Sequence, residues 1–419
     1  MTAQTAIVSS QQVGLRINAR PAARPSAVVA VSSSKRARIG YGARVTPVIS
    51  SPAPKDAFRP RVASPVAPEA EAEESLVPFD VDKPVFAGLS YTEQYDIMMK
   101  DQPLNARKTV PKPDKNKQAS TAGAKQIPFS DVYVVPKRRM LFNREWDSKD
   151  LMYGGFIGAM HVLACWAPFT FSWNMVALFA GTYFITGCLG ITLAYHRMLS
   201  HRSFTAPKWL ERTLAYCGVL AMQGDPAEWA STHRYHHKHC DTPLDPHSTY
   251  EGFWWAHMGW LLDSKATEDR VSDRSNVADL MKDPFYGHLQ KHYSLHVAAQ
   301  LALLFAFGGF PALVWGGALR CIWVYHITWF VNSATHCWGY QDYDCGDLSK
   351  NNWWVGILAW GEGWHNNHHA FEFSARHGLE WWQVDVTWMC IKAMETLGLI
   401  SNVKLPSQAQ LDRLRIAKA

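Results

Sequence analysis

From Leu151 to Tyr195 the chain carries no Lys, Arg, Asp or Glu. Pro168, Ser172, Trp173 and Asn174 divide this stretch into two apolar runs, Leu151 to about Phe171 and Asn174 to about Tyr195. Crossing a hydrocarbon core takes about 20 apolar residues, so each run is long enough. A second pair follows, Leu295 to about Val314 and about Gly316 to Thr335, broken by Gly308, Gly309 and Pro311. Arg320, near the start of the last run, is expected to snorkel to the interface. Core helices of soluble bundles rarely combine such length with such depletion of charge. The expected architecture is an all-α membrane protein with four transmembrane helices in two hairpins.

Two hairpins leave the amino-terminal segment, the 196–294 loop and the carboxyl-terminal region on one face of the membrane. Lys137, Arg138, Arg139, Arg144 and Lys149 precede the first run, and more basic residues follow in the central loop and tail. The two tight connections carry almost none. That asymmetry marks the shared face as cytosolic or stromal.

The net charge of +6 hides a sharper feature, because residues 1–55 hold eight Lys and Arg and no Asp or Glu. An Arg-rich, acid-free start without a long apolar core reads as an organelle transit peptide, with the plastid as first choice. No zinc-finger spacing or basic-aromatic repeat points to nucleic acid. The expected organisation is a transit peptide over about 1–60 and an extended linker rich in Pro, Lys, Asp and Ala over 61–148. A membrane domain follows over 149–400, then a tail over 401–419. The eight cysteines are scattered without a C-x-x-C pair and read as reduced packing residues.

Histidine clusters supply the chemistry. His196 and His201 close the second run. Five residues apart is about 140° off on an α-helix, so these imidazoles are expected to converge only if the helix ends between them. His233, His236 and His237 form one H-x2-H-H cluster, and His365, His368 and His369 another. Spacing of i, i+3, i+4 places each trio on one helical face, able to present three imidazoles to one point. Asn332 and His336 lie one turn apart at the end of the last run and add a ninth histidine. All these elements fall on the basic side of the membrane. Catalytic zinc keeps about three protein ligands and structural zinc four, so nine histidines suit two redox metals with open positions, iron first. Asp225, Glu228, Asp241 and Asp245 flank the second cluster and are expected to orient imidazole N–H groups. His161, His239, His247, His257, His288, His292, His296, His326 and His377 read as structural.

Residues 150–400 resemble the integral-membrane acyl desaturases of the stearoyl-desaturase type. The likeness rests on the order H-x4-H, H-x2-H-H, H-x2-H-H, on the N-x3-H element, and on runs such as Gly224-Asp225-Pro226, Asp245-Pro246-His247 and the Trp364-His365 start of the last cluster. It implies a histidine-rich di-iron cap of two iron ions bound by His196, His201, His233, His236, His237, His336, His365, His368 and His369, with Asn332 holding a metal through water. The runs starting at Gly190 and Ala375 look most like the plant plastid branch, which includes palmitoyl-monogalactosyldiacylglycerol Δ7 desaturase.

The resemblance implies an oxygen-dependent enzyme that introduces a cis double bond into a saturated acyl chain, at Δ7 of a palmitoyl lipid. A Δ9 acyl-lipid or acyl-CoA desaturase and a di-iron lipid hydroxylase are the alternatives. A chloroplast membrane, envelope or thylakoid, is the implied site. Without a flavin motif or fused haem domain in the chain, electrons must come from outside, and in a plastid the likeness implies ferredoxin. The second run is expected to wall the acyl channel through Phe184, Cys188 and Thr192, which recur at steps of four before His196, with Phe184 as the floor.

Overall fold

A computed structural model describes residues 125–134, 141, 144–271 and 274–417. The transit-like start and most of the expected linker, including Lys137, Arg138 and Arg139, lie outside the described residues. Within that segment Lys125–Gln126 (β1) and Tyr133–Val134 (β2) pair antiparallel. Ile127, Val132 and Val134 bury against Tyr250, Cys337 and Leu348, and Asp131 meets Lys350 at 2.8 Å. The hairpin closes over the end of the last long helix, where Ser130 Oγ donates to the Cys337 carbonyl at 2.7 Å.

Helix α1 (Ser148–Ala164) starts at a capping box between Asp147 and Asp150. Ser172 caps α2 (Trp173–Tyr183), which runs without a break into α3 (Phe184–Ser200), a π-type helix. Together they form one apolar stretch, Trp173–Ser200, long enough to cross a membrane. The second such stretch is Pro284–Cys337. It comprises α8 (Pro284–Ala312), the π-type α9 (Leu313–Leu319) and α10 (Arg320–Cys337). This stretch folds back on itself. Gly309 takes φ +64°, which side-chain-bearing residues rarely adopt, and Pro311 follows it. Beyond the reversal Gly316 packs on Leu304 and on Leu178 of α2, where an added Cβ would sit 3.1 Å from either side chain.

Between these stretches the chain does not form a simple external loop. α4 (Lys208–Val219) runs back alongside α3 so closely that a Cβ on Gly190 would meet the Cys217 carbonyl at 2.5 Å. Residues 220–224 then reverse the chain into α5 (Pro226–His239). A non-helical turn packed among apolar helices must have its backbone groups satisfied by protein. Gln300 Nε2 and Arg320 Nη1 donate to the Leu220 carbonyl at 3.1 and 2.9 Å. Tyr325 donates to the Met222 carbonyl, and the Gly224 N–H donates to Tyr293 Oη at 2.9 Å. Arg320 is therefore fully buried as an anchor of this turn and does not snorkel.

The short α6 (Phe253–His257), which α7 (Ser264–Val271) follows in the chain, lies against α10. Here three histidines read as structural form a chain. His161 Nε2 meets His326 Nε2, His326 Nδ1 meets His257 Nε2, and His257 Nδ1 meets Ser333 Oγ, each at 3.0 Å. Farther on come α11 (Trp353–Leu358), α12 (His365–Ala370) and α13 (Val386–Thr396). The main core gathers α3, α4, α5 and α13 around Leu193, Tyr195, Leu214 and Ile391.

Candidate metal centre

The first cluster converges as expected at a helix end, since α3 stops at Ser200 with His201 as its cap. The helix also widens. With i→i+5 hydrogen bonding, seen in the His201 N–H donating to the His196 carbonyl at 3.1 Å, residues five apart return to one face. Their ring centroids lie 4.8 Å apart.

Helix α5 begins where Asp225 accepts from the Ala227 and Glu228 N–H groups at 2.9 and 3.0 Å, with Pro226 in the first helical position. The expectation that its three histidines meet at one point fails. His233 and His237 turn to one side and join His196, His201 and His368, all five ligand atoms lying within 4.8 Å of one another. His236 turns to the other side and joins His336, His369 and Cys240 under the same limit. His365 belongs with this second group, its Nε2 lying 3.1 Å from His336 Nε2. The helix thus stands between two groups and feeds both.

Helix α12 divides in the same way, His368 going to the first group and His365 and His369 to the second. The two asparagines between them hold this short helix in place. Asn366 Oδ1 accepts from the Asp342 and Tyr343 N–H groups at 2.8 and 2.9 Å. Asn367 donates to the His377 carbonyl at 2.8 Å and to Gln383 at 2.9 Å. Asn332 sits half-buried one turn before His336.

Carboxylates fix the ring orientations. His236 Nδ1 lies 2.9 Å from Asp245, His336 Nδ1 3.1 Å from Asp241, and His369 Nδ1 3.0 Å from Asp347. His196 Nδ1 lies 2.6 Å from Glu362, and His237 Nδ1 3.3 Å from Glu372. Of the four acids expected in this role, Asp241 and Asp245 fill it. Asp225 instead caps α5, and Glu228 pairs with Lys149 and Arg274 at 3.6 and 3.2 Å. Glu362, Asp347 and Glu372 are far in sequence from the rings they hold, and only the E-x-x-H spacing of Glu362 to His365 hinted at one of them. His377 and His247, read as structural, lie beside the site at 4.3 Å from His368 and His236, centroid to centroid. Cys240, read as packing, sits within the second group.

The arrangement fits cations. A proton on Nδ1 facing each carboxylate leaves the Nε2 lone pair pointing inward. His368 Nε2 is 3.0 Å from both His196 Nε2 and His237 Nε2, and one N–H can satisfy only one of those lone pairs. Burial drives the imidazoles of His201, His233, His365 and His368 well below their ordinary pKa, which favours the neutral form that can accept a cation. Asp241, Asp245 and Asp347 are buried beside the second group, where a metal cation would balance their charge, while Glu362 is already paired with Arg197 at 3.0 Å. Imidazole-rich sets of this kind suit iron, copper, nickel or zinc. Changing Asp241 to Asn should therefore weaken metal binding in the second group by about 10- to 100-fold while the first group keeps its metal, as a metal count on purified protein would show.

The acyl-wall candidates pack closely. Thr192 Oγ1 lies 2.6 Å and Cys188 Sγ 3.8 Å from Thr387 Oγ1 on α13, and the Phe184 ring meets Trp360 edge-on at 5.7 Å.

Comparison with known proteins agrees with this geometry. The model of the fatty acid desaturase family matches residues 171–389. The chain is 53% identical over 298 residues to a chloroplastic palmitoyl-monogalactosyldiacylglycerol delta-7 desaturase of Arabidopsis thaliana, covering 71% of this chain and 80% of that protein. It is 52% identical over 284 residues to an acyl-CoA 5-desaturase of Anemone leveillei, covering 68% and 88%. It is also 52% identical over 257 residues to an sn-1 stearoyl-lipid 9-desaturase of Anabaena variabilis, covering 61% and 93%. A match over more than half the chain, enclosing every histidine of both groups, decides the matter: the chain belongs to the fatty acid desaturase family.

Proposed function

We propose that the protein is a plastid acyl-lipid desaturase that introduces a cis double bond at Δ7 of palmitoyl chains on monogalactosyldiacylglycerol. The observation that carries the reaction class is the convergence of nine histidines into two groups with inward lone pairs. The substrate rests on the Arabidopsis relative. In this reading two irons are held, one by His196, His201, His233, His237 and His368 and the other by His236, His336, His365 and His369, with Asn332 reaching the second through water. Bound iron would supply activated oxygen, which unactivated methylene C–H bonds require. The chain's own groups do the rest. Asp241, Asp245, Asp347 and Glu362 hold the rings, and burial of the site excludes bulk water. Two hydrogens leave neighbouring methylenes, two electrons arrive from a donor, and oxygen departs as water.

The same reading places four helices across a chloroplast membrane, envelope or thylakoid: α1, α2 with α3, and the two arms of the Gly309 reversal. The metal groups then face the stroma, and residues 1 to about 60 serve as the transit peptide. Ferredoxin, a small acidic protein, is the proposed electron donor. A cavity of about 330 Å³ opens over His201 and His237 and is lined by Arg234, Lys238 and Glu372. Lys238 is exposed on this rim. Its replacement by Glu should raise the KM for ferredoxin about tenfold with kcat little changed, in assays at low salt. An unchanged KM would move the docking face elsewhere.

Phe184→Ala tests the channel: an enzyme with its floor at this residue should shift from sixteen-carbon towards longer chains, with metal content unchanged. The same chain-length profile in an active variant would reduce this face of α3 to packing. The reading as a whole is tested by expressing the full chain, fluorescently tagged at its carboxyl terminus, in plastid-bearing cells and profiling fatty acids by lipid class. Plastid fluorescence with a new Δ7 hexadecenoyl group in the galactolipid fraction is expected. A Δ9 or Δ5 product would retain the desaturase and replace the regiochemistry, and a hydroxylated chain would overturn the reaction.

A further inference from the structure

The last four carbonyls of a helix have no partner within it, and where they are buried they must find one elsewhere. At the end of α10, which carries His336, all four are accounted for. The Trp338 N–H donates to the Ala334 carbonyl at 2.8 Å, and the Lys350 N–H to that of Thr335 at 2.6 Å. Lys350 Nζ donates to the His336 carbonyl at 3.3 Å, and Ser130 Oγ to that of Cys337 at 2.7 Å. A cation is well placed there, because the helix dipole is negative at its C-terminal end.

Lys350 is buried, and a buried ammonium needs a counter-charge. Among the described residues the acid that meets it is Asp131, at 2.8 Å. Ser130 and Asp131 both belong to the turn between β1 and β2. The hairpin therefore supplies one of the four donors directly and the counter-charge of another. Its Pro128 carbonyl also accepts from Trp338 Nε1 at 3.1 Å, just past the helix end. A second route to the same imidazole runs through Leu348, on which the hairpin packs. The Leu348 N–H donates to Asp241 at 2.9 Å, and Asp241 holds His336 Nδ1. The family match begins at residue 171, so the hairpin lies outside it.

We propose that the hairpin over residues 125–134 is a positioning element of the second metal group. Through Ser130, Asp131 and Lys350 it fixes the end of α10 and with it the His336 ring. The inference rests on the reading of that group as an iron site. Its effect is selective, because the histidines of the first group lie on α3, α5 and α12, and none lies on α10. Processing of the amino-terminal segment must then stop before residue 125.

The test compares full-length wild type with Asp131→Lys, Asp131→Glu and Lys350→Met, loaded at limiting iron, with the iron in each group read from anomalous diffraction. The Asp131 side chain is 70% exposed, so its replacement leaves the core intact. Asp131→Lys and Lys350→Met should each weaken iron binding in the second group about tenfold or more, with the first group unchanged, and Asp131→Glu should match wild type. Wild-type occupancy of the second group in both weakened variants overturns the proposal. Equal loss from both groups also overturns it, since that is what a merely structural hairpin would cause. If wild type itself holds no iron in the second group, the metal reading fails, and amide hydrogen exchange over residues 334–338 decides the role of the hairpin. Faster exchange there in Asp131→Lys and Lys350→Met sustains it, and exchange equal to wild type overturns it.

Discussion

Replacing His368 with Ala should reduce desaturation by more than about 100-fold and lower iron content, with the protein still inserting in membranes. The size follows from position. Losing a residue that merely supports a ligand costs about 10- to 100-fold in metal affinity or activity, and loss of the ligand itself must exceed that. His368 is fully buried, and its Nε2 faces both His196 and His237 at 3.0 Å, so no neighbouring ring can take its place without moving the others. It lies on the short α12, outside both long apolar stretches, so insertion is untouched. Product formation in membranes carrying the variant, measured beside its iron content, checks this. Activity near wild type would remove His368 from the metal site.

The largest effect on stability is expected at Arg197. Its guanidinium is fully buried on α3 and joins three distant segments. Nη2 meets Glu362 and Asp385 at 3.0 Å each, and Nη1 meets the Ala375 carbonyl at 2.8 Å and Asp385 at 3.0 Å. Asp385 in turn accepts from the His377 and Trp388 N–H groups at 2.8 and 2.9 Å and caps α13. Arg197→Met removes the cation and leaves two buried carboxylates unpaired, a change that costs about 3–5 kcal/mol. Glu362 also holds His196, so the same substitution should loosen the first metal group. Thermal unfolding in detergent should show a lower midpoint, and iron should be released before global unfolding. A midpoint equal to wild type would mean the pair contributes nothing that a methionine cannot replace.

The gathering of the histidines was legible because spacing and position coincide: i, i+3 and i+4 on a helix beside charge-free runs set them on one side of the apolar helices. Their division was not legible. Periodicity places His233, His236 and His237 on one face, but that face is wide enough for His236 to point away from its neighbours, and only packing against α10 and α12 decides it. The helix end between His196 and His201 was legible, but its π-type widening was not, since that follows from tertiary packing and leaves no pattern that residue counting can detect. Long-range partners were invisible as well. Glu362 and Asp347 meet His196 and His369 across 166 and 22 positions of sequence. The charge-free runs announced apolar helices, yet they did not reveal that α4 returns beside α3 or that Arg320 anchors the turn at Leu220. Cys240 and His377 read as ordinary packing residues because nothing local distinguishes them from the other cysteines and histidines.

Anomalous diffraction at the iron absorption edge, on crystals of the purified enzyme, locates the metals. Two iron peaks per chain are expected, one enclosed by His196, His201, His233, His237 and His368 and the other by His236, His336, His365 and His369. A single peak, or iron lying outside these two groups, would contradict the two-iron site.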